Sequence, residues 1–396
     1  MSTFLINCSN LKNGGGLQVA DSICRQLPRF NQHFFFVVLS SQLSETAVAM
    51  EGMANVKCYV YDLKDNWRSL LLGRNEYLDD LVEQYHVEAV LTVFGPSRWR
   101  PRVPHLCGFA RAQLLNLNLN DNVNLNLNIK ERLTYAVWRW GFKRSSDTFY
   151  TENKYISDML PKLLGKVKVY TVTNYYNQVF DQPEKWKRSV NLNDNLNDNF
   201  NDNDCSAMPL GSSKNLNGNG KMVTMLTVSS TAAHKNLGIM VPVAEYLERH
   251  YPDFRFRFVL TCDRAPFELS DNLAKHFVFI GKVDVAECPN LYEQADIMFM
   301  PTLLECFTAT YPEAMRMEVP IVTTDLEFAR GLCGEAACYY SAIDPAAAAE
   351  AIYKVASDSA YRLRLTAYGK EQLKKFDNYE QRAEKLVGIL EGLCQG

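Results

Sequence analysis

The sequence predicts an α/β protein built from two doubly wound domains facing across a cleft. Three observations lead there. At 396 residues the chain is too long for one ordinary core. Short apolar runs alternate with helix-period segments, as in parallel sheets covered on both faces. That alternation begins afresh after residue 220, beyond an Asn-rich tract.

In chain order, the strand segments of the first half are "TFLINC", "HFFFVVLSS", "VKCYVYDL", "EAVLTVFG", "VPHLCGF", "DTFYTE" and "VKVYTVT". Helical patterns such as "GLQVADSICRQL", "NEYLDDLVEQYH", "ERLTYAVWRWGF" and "KYISDMLPKLL" separate several of them. The second series offers the strands "MVTMLTVSS", "FRFRFVLTC", "HFVFIGKV", "IMFMPT", "PIVTTD" and "ACYYSA". Its helices include "LGIMVPVAEYLERHY", "NLYEQA" and "PEAMRM", and the tail from "DPAAAAEAIYKV" to "YEQRAEKLVGILEGL" reads as nearly continuous helix. Domain boundaries follow. They are 1–180 for the first domain, 181–220 for an Asn-rich linker, 221–375 for the second domain, and 376–396 for a C-terminal helix that can pack back on the first. A further Asn-rich insertion covers 116–128; asparagine is poor in strands, so its Leu/Asn alternation reads as loop. Asp202 and Asp204 form a D-x-D, but inside an Asp/Asn repeat that spacing arises by accident.

Composition excludes several classes. The 47% hydrophobic and 22% charged content is that of a globular protein, and no apolar run is long enough to span a bilayer. "MSTFLINCSN" has no basic leader and reads as a first buried strand. Eleven scattered cysteines with no C-x-x-C suggest free thiols in a reducing compartment, so a cytoplasmic location is expected. Residues 1–188 carry 23 Lys/Arg against 17 Asp/Glu, a mild excess suited to an anionic surface but too slight for nucleic acid.

Three features fall at strand ends. Asn13, Gly14, Gly15 and Gly16 follow the first strand and open a helix, where backbone can approach an anion; the pattern is not the G-x-G-x-x-G of nicotinamide sites. His234, Lys235 and Asn236 follow the first strand of the second domain. There Lys235 can hold a diphosphate, or else stand in solvent behind an Asn236 N-cap. "LLECFTATYPEAM" places Glu305 in a loop after a strand and Glu313 in the helix beyond it. Thr310 and Glu313 have capping-box spacing, with Pro312 in the first turn, which accounts for Glu313 and leaves Glu305 without a structural reason.

Together these motifs resemble the retaining glycosyltransferases of family 4, the group 1 glycosyltransferases with the GT-B fold of two Rossmann-like domains. The resemblance rests on Glu305-x7-Glu313 followed by "EAMRMEVPIVTTD", and on "HKNL", "FIGKV", "LYEQADIMFMPT" and "AIDPAAAAEAI" in family order. It is good over 221–390 and weak over 1–180. It implies that Glu305 faces the donor sugar and, with Lys235, carries catalysis. Glu313 would hold the nucleotide ribose, and backbone N–H groups around Phe307 and Thr308, with His234, would help Lys235 neutralise the diphosphate. Gly281 to Val283 would border the base, while Gly15 and Gly16 would lie near the transferred sugar. No metal or other cofactor is implied. Two departures stand out. Ser230 occupies the place of the family's arginine, leaving His234 or Arg264 to add positive charge, and Phe109 and Ala110 stand where a His-Asp pair is usual. His105 is a poor substitute, falling at the strand start.

The segments "SRWRPRVPH" and "IKERLTYAVWRWGFKR" are basic and aromatic, so peripheral contact between the first domain and the inner face of a membrane is one reading. The favoured reading is a domain helix with buried aromatics, because Trp138 and Trp140 point to different faces. The expected function is transfer of a sugar from a nucleotide-sugar donor to a glycan or lipid-linked acceptor, with retention and without metal, in polysaccharide or glycoconjugate biosynthesis. The alternatives are a GT-B nucleotide-sugar epimerase and a non-catalytic sugar-nucleotide-binding protein.

Overall fold

The computed structural model describes residues 1–395 apart from 13, 64–72, 118–128, 193–220 and 265–266. Asn13, most of the Asn-rich insertion, the Asp202–Asp204 motif and most of the expected linker therefore lie outside the described residues. The chain forms two compact units, Met1–Tyr175 with Asp377–Gly396, and Tyr176–Phe376.

The first unit contains β1 (Ser2–Cys8), β2 (His33–Leu39), β3 (Val56–Val60), β4 (Ala89–Thr92), β5 (His105–Gly108), β6 (Thr148–Thr151) and β7 (Lys168–Thr171). They pair in parallel in the order β3-β2-β1-β4-β5-β6-β7. Every strand segment expected in this half is present. Period-2 alternation in β1 serves two cores: Phe4, Ile6 and Cys8 face one, and Leu5 faces the other with Phe36, Val38, Leu78, Leu81 and Trp99. Helix Tyr379–Cys394 adds Leu386, Val387 and Leu390 to the first of these cores. Asn378 and Gln381 form a reciprocal capping box at its start, with N–H···O distances of 2.9 and 3.1 Å. Arg382 anchors the same helix by donating to Asn174 and, at 2.6 Å, to the Ser22 hydroxyl.

The second unit contains β8 (Val223–Thr227), β9 (Phe256–Leu260), β10 (Phe277–Phe279), β11 (Ile297–Met300), β12 (Ile321–Thr324) and β13 (Ala337–Tyr340), all parallel, in the order β10-β9-β8-β11-β12-β13. Helices Met240–His250 and Pro345–Ser357 cover one face, burying Met240, Val243, Leu247, Ile352 and Val355. In both sheets chain order reverses beside the first strand, at β1/β4 and at β8/β11. The loops at the carboxyl ends on either side of such a reversal diverge and leave a ligand crevice.

The stretch 181–192, expected as linker, is packed onto the second unit. Glu287 accepts hydrogen bonds from Ser189 Oγ (2.8 Å) and Val190 N (2.9 Å), and Arg257 donates to Leu192 O at 2.8 Å. A buried carboxylate needs such donors, and this segment supplies them.

Candidate active site

The β8/β11 reversal brings two predicted residues into contact. After β8 the chain makes a tight turn over Ala233–Lys235 and reverses at Asn236, whose φ of 52° lies in the left-handed region that asparagine tolerates. Asn236 makes no helix cap; its side-chain amide instead donates to Ala342 O at 3.4 Å. After β11, Leu303 N donates to His234 O at 2.8 Å, tying the two loops together. This register places the Lys235 ammonium directly on Glu305 Oε1. Both side chains are largely buried, and the Thr302 hydroxyl lies 3.0 Å from the same carboxylate oxygen. Glu305, for which the sequence offered no structural role, is thus the counter-ion of Lys235.

Glu313 is also buried, but not as the capping box expected. Helix Thr310–Arg316 begins after Ala309 without a side-chain cap, and Thr310 Oγ1 pairs with Thr308 Oγ1 at 2.8 Å. Glu313 therefore sits a residue too deep to reach back to a cap and turns to the interior. There the Tyr292 hydroxyl donates to its Oε2 at 3.0 Å. Burial pushes its carboxyl up to about 7, against the opposing effect of the Tyr292 hydrogen bond. Near neutrality Glu313 is poised between donor and acceptor forms.

The remaining predicted residues surround the same sheet edge. Burial holds His234 below the usual imidazole range, Lys235 adds to that effect, and Glu305 opposes it. The neutral imidazole is thereby favoured, so His234 adds no cation beside Lys235. Phe307 is half-buried, its ring 6.0 Å from that of Phe376, and Thr308 is buried. Gly281 follows β10 with φ of 70°, a conformation suited to glycine, and an added Cβ would meet Asp263 Oδ1 at 3.7 Å; Val283 is half-buried beside it. Arg264 and Ser230 are exposed at the ends of β9 and β8.

In the first unit, Gly14 has φ of 76° and precedes helix Gly15–Cys24. A Cβ on Gly15 would meet nothing within 4 Å, whereas one on Gly16 would touch Phe94 and Leu11 at 3.5 and 3.6 Å. This turn lies at the β1/β4 reversal, where Asn10 Nδ2 donates to Phe94 O at 2.7 Å. His105 begins β5, at the opposite end from the carboxyl edge, bridging Thr92 Oγ1 and Ser145 O at 2.8 Å each. Its burial lowers it to about 4, so it is a neutral structural group. Among the described residues no group of three or more His, Cys, Asp or Glu could hold a metal.

Thr302 and Tyr292 were missed by sequence reasoning. Thr302 stands three residues before Glu305 at a strand end, a local hint. Tyr292 is 21 residues from Glu313 and reaches it only through tertiary packing.

Residues 223–358 match the family model described as glycosyl transferases group 1. No curated protein matches the sequence. Among solved structures, the chain resembles α,α-trehalose 6-phosphate synthase from Burkholderia multivorans, with TM-score 0.67, 9% identity, and coverage of 100% of this chain and 99% of that one. A glycosyltransferase from Rickettsia africae gives TM-score 0.65 and 13% identity, covering 100% and 99%. Sucrose-phosphate synthase from Thermosynechococcus elongatus gives 0.65 and 13%, covering 99% of each. At these identities the structural likeness establishes the fold. The chain has the two-domain GT-B fold, and its residues 223–358 are similar to the glycosyl transferases group 1.

Proposed function

We propose that this chain is a retaining, metal-independent glycosyltransferase of the family 4 type, moving a hexose from a nucleotide-sugar to a glycan or lipid-linked acceptor. The observation that carries the reading is the Lys235–Glu305 pair at the β8/β11 reversal, inside the group 1 domain. A buried ammonium neutralised by a carboxylate is a ready-made diphosphate site: the incoming anion takes over Lys235 and frees Glu305. As the bond from the anomeric carbon to the diphosphate oxygen breaks, negative charge grows on the leaving group beside Lys235 and the N–H groups of Phe307 and Thr308. The freed Glu305 carboxylate stands where positive charge grows on the sugar. Glu313 accepts from the ribose hydroxyls, and Gly281 to Val283 border the base. Several structural neighbours are trehalose-phosphate or sucrose-phosphate synthases, one of them described as UDP-forming, so UDP-sugars head the list of donors to try.

The test is transfer from radiolabelled nucleotide-sugars by the parent and by Glu305→Ala, with products separated from free sugar. Label moving to an acceptor in the parent, and not in the variant, supports the reading. Release of a free or epimerised sugar with no acceptor product supports the epimerase instead, and full turnover by Glu305→Ala removes Glu305 from the mechanism.

A further inference from the structure

Tyr292 lies in helix Cys288–Gln294, is almost fully buried, and brings its hydroxyl to helix Thr310–Arg316. There the hydroxyl is 3.0 Å from Glu313 Oε2 and 3.4 Å from Thr310 O, so one group meets both the first residue of that helix and its carboxylate. Among the described residues no other group donates to the Glu313 carboxylate, and Oε1 is left for a ligand. For packing alone, phenylalanine at 292 and an apolar side chain at 313 would serve better, since burial works against the charge of Glu313. A carboxylate held by one oxygen has its plane fixed and its second oxygen aimed in advance, as a binding group requires.

Tyr292 is itself backed by a segment outside the matched stretch 223–358. Phe180, fully buried, sets its ring 5.9 Å from that of Tyr292. The next residue, Asp181, accepts from Arg316 Nε at 2.7 Å and from the Tyr176 hydroxyl at 3.1 Å. Arg316 ends the helix that carries Glu313. Residues 180 and 181 therefore brace that helix at its last turn directly and at its first turn through Tyr292. Farther on, the same segment runs along helix Cys288–Gln294, where Arg188 pairs with Glu293 at 2.5 Å and Leu192 N donates to Gln294 Oε1 at 2.8 Å.

We propose that Tyr292 is the positioning residue of the ribose subsite, with Phe180 and Asp181 holding it and the Glu313 helix in register. Tyr292 fixes Glu313 through Oε2, and Oε1 receives the ribose hydroxyls. The inference rests on the sugar-nucleotide reading and traces part of the donor's affinity to residues that the sequence placed at a domain boundary. Because the aligned oxygen reads hydroxyls, the arrangement separates ribonucleotides from their deoxy analogues.

The test is titration calorimetry of the full chain with UDP, GDP and ADP, then with the 2′-deoxy and 3′-deoxy forms of whichever binds. The parent should bind the ribonucleotide about tenfold tighter than at least one deoxy form, as expected for a hydrogen bond to a carboxylate. Tyr292→Phe keeps the ring against Phe180; the preference should fall to about twofold, with affinity for the deoxy form little changed. Lost packing alone would weaken both ligands alike and leave their ratio untouched. Asp181→Asn, at an exposed position where folding is not at stake, should lower the same ratio by a smaller factor, about threefold. In transfer assays Tyr292→Phe should raise the donor KM and leave kcat within about twofold. A ratio in Tyr292→Phe equal to the parent's overturns the inference and leaves the donor site standing, as does a parent that binds ribo and deoxy forms equally. A parent that binds none of the three nucleotides overturns the sugar-nucleotide reading itself.

Discussion

Replacing Glu305 by Gln keeps the side chain's shape and removes the charge that holds Lys235. The contact is direct and both side chains are nearly buried. Gross attraction between unit charges in direct contact is about 6 kcal/mol at an effective dielectric of 20, and most of it is offset by the desolvation of both ions. A net loss of about 2 kcal/mol is the usual size for a hydrogen bond to a charged group. In a unit of this size that lowers the unfolding midpoint by about 4–8 °C. A nucleoside diphosphate should then do more for the variant than for the parent, because it meets an uncompensated ammonium instead of displacing a carboxylate. Its affinity should rise by about tenfold, equivalent to 1.4 kcal/mol, while sugar transfer falls by about a hundredfold or more. Thermal unfolding with and without UDP, titration calorimetry and a transfer assay read the three quantities separately. If the variant's midpoint and UDP affinity both match the parent's, Glu305 is not the group that holds Lys235 and the argument from this pair fails.

Other outcomes follow from the same structure. The Glu313 carboxyl titrates near 7 in the fold against 4.5 in the free side chain, so its stability contribution is fully present below about pH 4.5 and is lost as pH rises through 7. Glu313→Gln should therefore gain on the parent in unfolding free energy between pH 5 and 8, by up to about 3 kcal/mol; a difference flat with pH would contradict the role of burial. His105 behaves with the opposite sign, its pKa being depressed: stability is lost as pH falls from 6.5 toward about 4, and His105→Gln should flatten the acid side of the parent's profile. Removal of 377–396 takes Leu386, Val387 and Leu390 from the first core, about 1.5–3 kcal/mol each, which rivals a domain's whole stability. The truncated chain should lose the cooperative transition of the first unit in calorimetry, and a preserved transition would show the helix to be dispensable.

The fold was legible because both sheets are parallel and buried on both faces, which leaves continuous apolar runs such as "HFFFVVL" and "IMFM". Helix ends were less legible. Thr310 carries a capping-box spacing, yet the helix starts after Ala309 and Glu313 is claimed by Tyr292 through packing that no local spacing encodes. The Asn-rich tract obscured where the second unit begins, because Glu287, which also accepts from Asn290, takes donors from residues 189 and 190, which composition grouped with the linker. At the site, the residue types and their strand-end positions pointed to Lys235 and Glu305. Their contact could not be read, since it depends on β8 and β11 being neighbours.

The proposed nucleotide-sugar site lies at the carboxyl edge of the second sheet. It is tested most directly by thermal unfolding of the parent and Lys235→Ala with UDP-, GDP-, dTDP- and CMP-sugars. A ligand at about 100 times its dissociation constant adds about 2.7 kcal/mol, a shift of several degrees. Such a shift is expected in the parent with one nucleotide, and a clearly smaller one in Lys235→Ala. No shift with any nucleotide, or the same shift in both proteins, would contradict it.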